Sequence, residues 1–214
     1  MPGNLPEKTC NRRVAGKIEN FMAPPPPQSG QSLGFLTVVE DQKHGLFGGY
    51  LVLNGMGRPL EFHCTAPVKA NRAQEILYGP TLRPYLYGEQ IGRTLFEQSK
   101  TIPLVVLTDS EPMLSVGEFI PPPVALVEPG VCEPSPEAGD PRTPIWRTDS
   151  GHVAAGPHRE AFTIGQRHLA VEAGGTPLGG QLVEDLQRIA ASWDLAEPFD
   201  RIRAAIDEAR RGGQ

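Results

Sequence analysis

Residues 103–110 read PLVVLTDS. Leu104 to Thr108 are apolar or β-branched without a break, and Asp109 comes directly after them. A run with no alternation suits a strand covered on both faces, as in the interior of a parallel or mixed sheet. A carboxylate at its end either projects into a site or caps a helix just beyond. The next segment, SEPMLSVGEF, predicts a short helix: Pro112 sits early in it, where a missing N–H does no harm, and Asp109, Ser110 and Glu111 are good first-turn residues.

Upstream of that strand, GFLTVV (34–39) and LFGGYLVLN (46–54) read as two more strands. The NGMG turn (54–57) closes a hairpin into RPLEFHCT (58–65). In this third strand Leu60, Phe62 and Cys64 alternate with Glu61, His63 and Thr65, so one face is expected buried and the other wetter, with Cys64 a small core residue. Gly48 and Gly49 inside the second strand imply a bulge or a close backbone approach. ANRAQEILYG predicts a helix with Ala73, Ile76 and Leu77 on one face, stopped by Gly79-Pro80. LYGEQIGRTLFEQSK (86–100) predicts a second, with Ile91, Leu95 and Phe96 facing inward. Val124–Val127 is expected as one added edge strand. The expected fold class is therefore α/β. A mixed sheet opens with an antiparallel meander, crosses over through helices to a buried strand, and is followed by C-terminal helices.

The rest of the chain differs in composition. Residues 1–32 hold four consecutive prolines, Pro24–Pro27, which favour polyproline II and predict a disordered tail or tether. Residues 33–127 form the expected α/β domain. Residues 128–180 are Pro/Gly-rich and predict loops, with at most a hairpin from FTIG and HLAV. In residues 181–211, Leu182, Leu186, Ile189 and Trp193, then Phe199, Ile202 and Ile206, recur at helical spacing, with Pro198 in a first turn. That pair of helices either docks on the sheet or offers itself to a partner.

Charge and cysteine content narrow the function. The formal net charge is -5, and residues 33–127 carry seven Lys/Arg against nine Asp/Glu, so no basic excess points to a phosphate backbone. Cys10, Cys64 and Cys132 are odd in number and lack a CxxC, which speaks against a disulfide framework or structural zinc. The N-terminal residues lack a signal-type apolar run and nothing is long and apolar enough to span a membrane, so a soluble cytoplasmic protein is expected.

Three carboxylates fall near the predicted strands. Asp41 comes after the first, Glu75 lies on the crossover helix, and Asp109 ends the buried strand, successive members standing 34 positions apart. Brought together, they would suit Mg²⁺, a hard ion that takes oxygen ligands. Two such ions can activate water and stabilise a leaving oxygen in phosphodiester hydrolysis.

The pieces GGYLVLN, GRPLEFHCT, NRAQEIL and LTDSEPML, in that order over 34–116, resemble the ribonuclease H-like fold. In that family a Gly-Gly-Tyr opens the second strand, a helix starting near Asn-Arg carries the second catalytic Glu, and a strand ending in Thr-Asp-Ser carries the third catalytic Asp. The resemblance implies Glu75 and Asp109 in those roles. It places Val38 at the register of the family's first Asp, with Glu40 and Asp41 just beyond. It also implies Mg²⁺ as cofactor and nucleic acid as substrate.

A second candidate site is the segment LYGPTLRPYLYGEQ. Tyr78, Tyr85 and Tyr87 with Arg83, flanked by Arg72 and Arg93, form an aromatic and basic stretch broken by Gly and Pro. It suits either a binding surface or the packing of a crossover. His63 and Cys64, as strand neighbours, face opposite sides and cannot act as a pair. His44 reads as a solvated loop residue, and His152, His158 and His168 show no ligand spacing. No phosphate-binding or nucleophile-elbow motif is present. The residues are read as a non-catalytic intracellular binding or scaffolding module without cofactor, engaging a protein partner through Tyr78, Arg83, Tyr85 and Tyr87. The alternative is a Mg²⁺-dependent nuclease of ribonuclease H-like type using Asp41, Glu75 and Asp109. Convergence of the carboxylates would favour the second; an exposed apolar or aromatic patch near Tyr85 and Tyr87 would favour the first.

Overall fold

The computed structural model describes residues 31–130, 159–172 and 174–212. The Pro-rich expectation for 1–30, Cys10, Cys132, His152 and His158 lie outside them. Within PLVVLTDS, Val105–Thr108 forms the central strand. Seven strands make one sheet in the order β3-β2-β1-β4-β5-β7-β6. They are β1 (Ser32–Asp41), β2 (Gly45–Asn54), β3 (Pro59–Cys64), β4 (Val105–Thr108), β5 (Val124–Val127), β6 (Arg159–Ile164) and β7 (Arg167–Glu172). β1–β2–β3 is an antiparallel meander, and β1, β4 and β5 run parallel. The fold is thus mixed α/β, with β4 buried at every residue.

The crossover from β3 to β4 begins with α1 (Arg72–Tyr78) and α2 (Leu82–Pro84). A π-helical run, Tyr85–Arg93, then leads into α3 (Thr94–Gln98). A 3₁₀ helix, Glu111–Glu118, links β4 to β5. α4 (Gly180–Ala190) and α5 (Glu197–Gly212) close the chain.

Strand alternation divides the core in two. Leu33, Phe35, Leu51, Leu53, Val105 and Leu107 pack under α4 and α5, with Leu186, Phe199, Ile202 and Ile206. Leu36, Tyr50, Val52 and Val106 pack under the crossover, with Ile91, Leu95 and Met113. The C-terminal helices therefore dock on the sheet. The glycines of β2 make this possible on both faces. A Cβ at Gly48 would overlap Ile91, and one at Gly49 would overlap Ile202 and Ile206. The expected close approach is real, and the one register shift of β2 against β3 lies further along, at Val52/Leu53.

Three expectations need correction. β5 is interior, flanked by β4 and β7, because the β6–β7 hairpin extends the sheet beyond it. α1 buries none of its residues, so Ala73, Ile76 and Leu77 do not form a core face. In β3 the burial is reversed: Leu60, Phe62 and Cys64 are exposed, whereas Glu61 and His63 are half-buried. The cause is coverage. Residues 99–101 close over Glu61 on the crossover side, with Thr101 Oγ1, Ser99 Oγ and the Lys100 N–H donating to its carboxylate. On the other side α5 lies over β1 and β2.

Candidate functional site

In a parallel sheet, ligand-handling groups collect beyond the C-terminal ends of the strands, where loops are free to diverge. Here β4 ends beside the middle of β1, with Leu36 paired to Thr108. The next residues are Thr37 and Asp109, and their side chains meet: Thr37 Oγ1 donates to Asp109 Oδ1 at 2.7 Å. Asp109 Oδ2 takes the guanidinium of Arg203 from α5. The residue of β1 that faces Asp109 is thus Thr37, a hydroxyl, rather than Val38. Val38 lies one step along the strand and packs on the crossover face.

Asp41 stands four residues beyond Thr37, roughly 13 Å along an extended strand. It accepts from the backbone N–H groups of Lys43 and His44 at 2.9 and 2.8 Å and contacts His44 Nδ1 at 2.8 Å. Its other oxygen binds Arg210. These bonds, the His44 backbone N–H above all, hold its carboxyl well below the usual range. Arg210 also lies 4.8 Å from the centre of the Phe47 ring, a cation–π contact. Arg203 and Arg210 are seven apart, two helical turns, so α5 runs one arginine to each strand-end carboxylate.

Glu75 joins neither. It lies on α1, paired at 3.0 Å with Arg72 one turn away, both well exposed. Asp41, Glu75 and Asp109 therefore have separate partners, and none shares one with another. Among the described residues no group of three or more His, Cys, Asp or Glu is placed to hold a metal ion. A magnesium centre does not fit these side chains as they stand.

Glu40 points to the opposite face from Asp41 and organises the second candidate site. Arg83 donates to it at 2.8 Å and the Tyr87 hydroxyl at 2.5 Å. Tyr87 is buried, only 4 % exposed, and burial together with the Glu40 carboxylate raises its pKa. Tyr87 is thus a core residue that latches the crossover to β1. Tyr78 and Tyr85 stack on each other with centroids 4.1 Å apart, and Gln90 Nε2 donates to the Tyr85 hydroxyl at 2.9 Å. Beside them α1 is capped by reciprocal bonds between Asn71 and Gln74, yet it leaves Ile76 67 % and Leu77 81 % exposed.

Sequence reasoning reached Asp109, Glu40 and the tyrosines but missed Thr37, Arg203 and Arg210. The spacing of the two arginines on an amphipathic last helix was the available signal. The meaning of Thr37 depended on the β1–β4 register, which pairing across the sheet determines.

No family model matches the chain, and no curated protein matches it. Among solved structures, human endonuclease V is similar over 87 % of each chain, with 13 % identity and a TM-score of 0.43. The Ciona intestinalis endonuclease V in complex with an inosine-containing DNA gives 12 % identity and a TM-score of 0.47, over 87 % of this chain and 88 % of that one. The Marinitoga piezophila Argonaute gives 12 % identity and a TM-score of 0.32, over 74 % of this chain and 25 % of that one. All three matches are of low identity, with TM-scores below 0.5.

Proposed function

We propose that this chain is a non-catalytic binding module that presents α1 and the adjoining tyrosine stack to a protein partner. The observation that carries this is α1 itself. It is a helix with a complete capping box and no buried residue, and it exposes two large aliphatic side chains side by side. A domain gains nothing from ordering such a helix unless its apolar face is used, and exposed apolar clusters mark interaction sites. A partner with an apolar groove would take Ile76 and Leu77 as anchors, the helix-in-groove mode. Tyr78 and Tyr85 would supply the aromatic rim.

The state of Asp109 supports the same reading. Its two oxygens are held by Thr37 and Arg203, and the guanidinium supplies the positive charge that a metal ion would bring. A second reading, a Mg²⁺-dependent nuclease, is favoured by one observation: Asp109 follows the central parallel strand directly and sits beside Thr37 of β1. It coincides with the activity named for the similar structures and rests on Asp109 alone. It would require Arg203 to withdraw.

Two measurements separate the readings. Cross-linking and co-purification of the wild type against a Leu77→Asp variant should show one partner retained by the first and lost by the second. Thermal melting with millimolar Mg²⁺ or Mn²⁺ should show no rise for the wild type. A metal-dependent rise that Asp109→Asn abolishes would overturn the binding reading in favour of the nuclease, since a ligand of the native state stabilises it by mass action.

A further inference from the structure

β3 is the terminal strand of the sheet, and among the described residues nothing pairs with its outer edge. Its apolar side chains are on the outside: Leu60 is 50 % and Phe62 39 % exposed, and the Cys64 thiol is free and exposed. Natural edge strands are normally blunted by charge or cover, because an open edge is a template for pairing. Here the charged residues of the strand, Glu61 and His63, point toward the crossover face, and the apolar ones are presented.

We propose that β3 pairs antiparallel with the β3 of a second copy, about a two-fold axis at Phe62, to form a homodimer with one continuous sheet. The register comes from the backbone. The Thr65 N–H donates to the Gly48 carbonyl at 3.0 Å. In an antiparallel ladder the bonding direction alternates, so Glu61 and His63 also turn their main-chain groups toward β2, and those of Phe62 and Cys64 face outward. Leu60 has no partner on β2 because the register shifts there. Centring the axis on Phe62 sets Phe62 against its own copy and Leu60 against Cys64, so every outward group meets an outward group.

Side-chain charge selects this register over its neighbours. With the axis at Phe62, each Glu61 stands opposite the other copy's His63. With the axis at Glu61, two carboxylates would face each other, which is destabilising. With the axis at His63, two imidazoles would face each other and the Phe62–Phe62 contact would be lost. The flanking helices leave room. α5 lies over β1 and β2, so its two copies would stand roughly 19 Å apart, wider than a helix of about 10 Å. α3 lies over β2 and β3, so its copies would approach to roughly 10 Å, an ordinary packing distance. Leu60, Phe62 and Cys64 of both copies then line one apolar floor between the α5 helices.

Sedimentation of the full chain at rising concentration tests this. The expected result is a monomer–dimer equilibrium, with Phe62→Lys giving monomer alone at every concentration and an unchanged circular dichroism spectrum. A second variant is insensitive to any loss of stability in the first: Phe62→Cys in a chain whose Cys10, Cys64 and Cys132 are serine. The register brings the two Phe62 Cα positions to about 5.5 Å, within disulfide reach, so mild oxidation should yield a covalent dimer. A wild type that is monomeric throughout overturns the proposal. So does a dimer that survives Phe62→Lys without cross-linking, and a dimer that Phe62→Lys abolishes but that does not cross-link overturns the register.

Discussion

Arg203, on the last helix, holds the carboxylate of Asp109 at the end of the central strand. Because Thr37 takes the other oxygen, Arg203→Ala would leave Asp109 on a single neutral donor. Both groups of the ion pair keep some contact with water, so its loss should cost no more than about 1 kcal/mol. One remaining carboxylate is too few to hold Mg²⁺, so melting of Arg203→Ala should stay insensitive to the metal. A rise of several degrees in millimolar Mg²⁺ would show that the guanidinium had been masking a metal site.

The apolar face of α1 should behave as a surface. Leu77→Asp touches no core residue, so the melting midpoint should shift by no more than about 0.5 kcal/mol in equivalent stability. Partner retention should nevertheless fall. A large destabilisation by urea titration would mean that Leu77 is covered within the chain, and the docking reading would lose its basis.

Much of this fold was legible in the sequence because two periods are hard to confuse. The meander, the buried β4 and the two C-terminal helices all show them plainly, and Ile91, Leu95, Phe199, Ile202 and Ile206 face inward as their spacing implies. The failures share one cause. Periodicity says which residues lie on one face, but it cannot say whether another element reaches that face. In β3 the pattern of alternation was right and the buried side was wrong, because the covering came from the 99–101 segment and α5 stays over β1 and β2. In α1 the apolar pair has no cover at all among the described residues. The candidate site fared similarly: Asp109 was readable, whereas Thr37 depended on strand register and Arg203 on a contact spanning 94 residues.

The two β2 glycines carry the packing of both layers, and Gly49 gives the cleaner test. A methyl there would overlap Ile202 Cγ2, next to that side chain's branch point, and stand 2.9 Å from Ile206 Cδ1. Gly49→Ala should destabilise by about 1–3 kcal/mol, the usual range for overpacking. Urea melts would measure it. No change would mean that α5 can lift from the sheet freely, which its buried Phe199, Ile202 and Ile206 do not suggest.

Tyr50 runs the other way. Its ring is fully buried against β1 and Phe96, yet the hydroxyl has no hydrogen-bond partner among the described residues. Burial, with the nearby Glu61 carboxylate, raises its pKa. A buried hydroxyl without a partner costs about 1–3 kcal/mol, so Tyr50→Phe should stabilise the protein, by up to that amount. Destabilisation by the same measurement would reveal a bonded hydroxyl, most simply through a buried water.

Glu61 sets the acid limit of the β3 edge. Donation from the Thr101 hydroxyl, then from His63, the Lys100 N–H and Ser99, lowers its pKa from the ordinary 4.5 to about 2. A carboxylate with a folded pKa below its unfolded one contributes stability that is complete above the unfolded value. That contribution drains away as pH falls through the window from about 4.5 to about 2. Glu61→Gln keeps the shape but has no charge to lose. The wild-type melting temperature should therefore fall across that window more steeply than the variant's, and the two curves should run parallel above pH ~5 with the variant lower. Equal slopes through the acid window would mean that the 99–101 segment does not close on Glu61 in solution. In that case His63 and Glu61 would be free to turn outward, and the apolar character of the β3 edge would go with them.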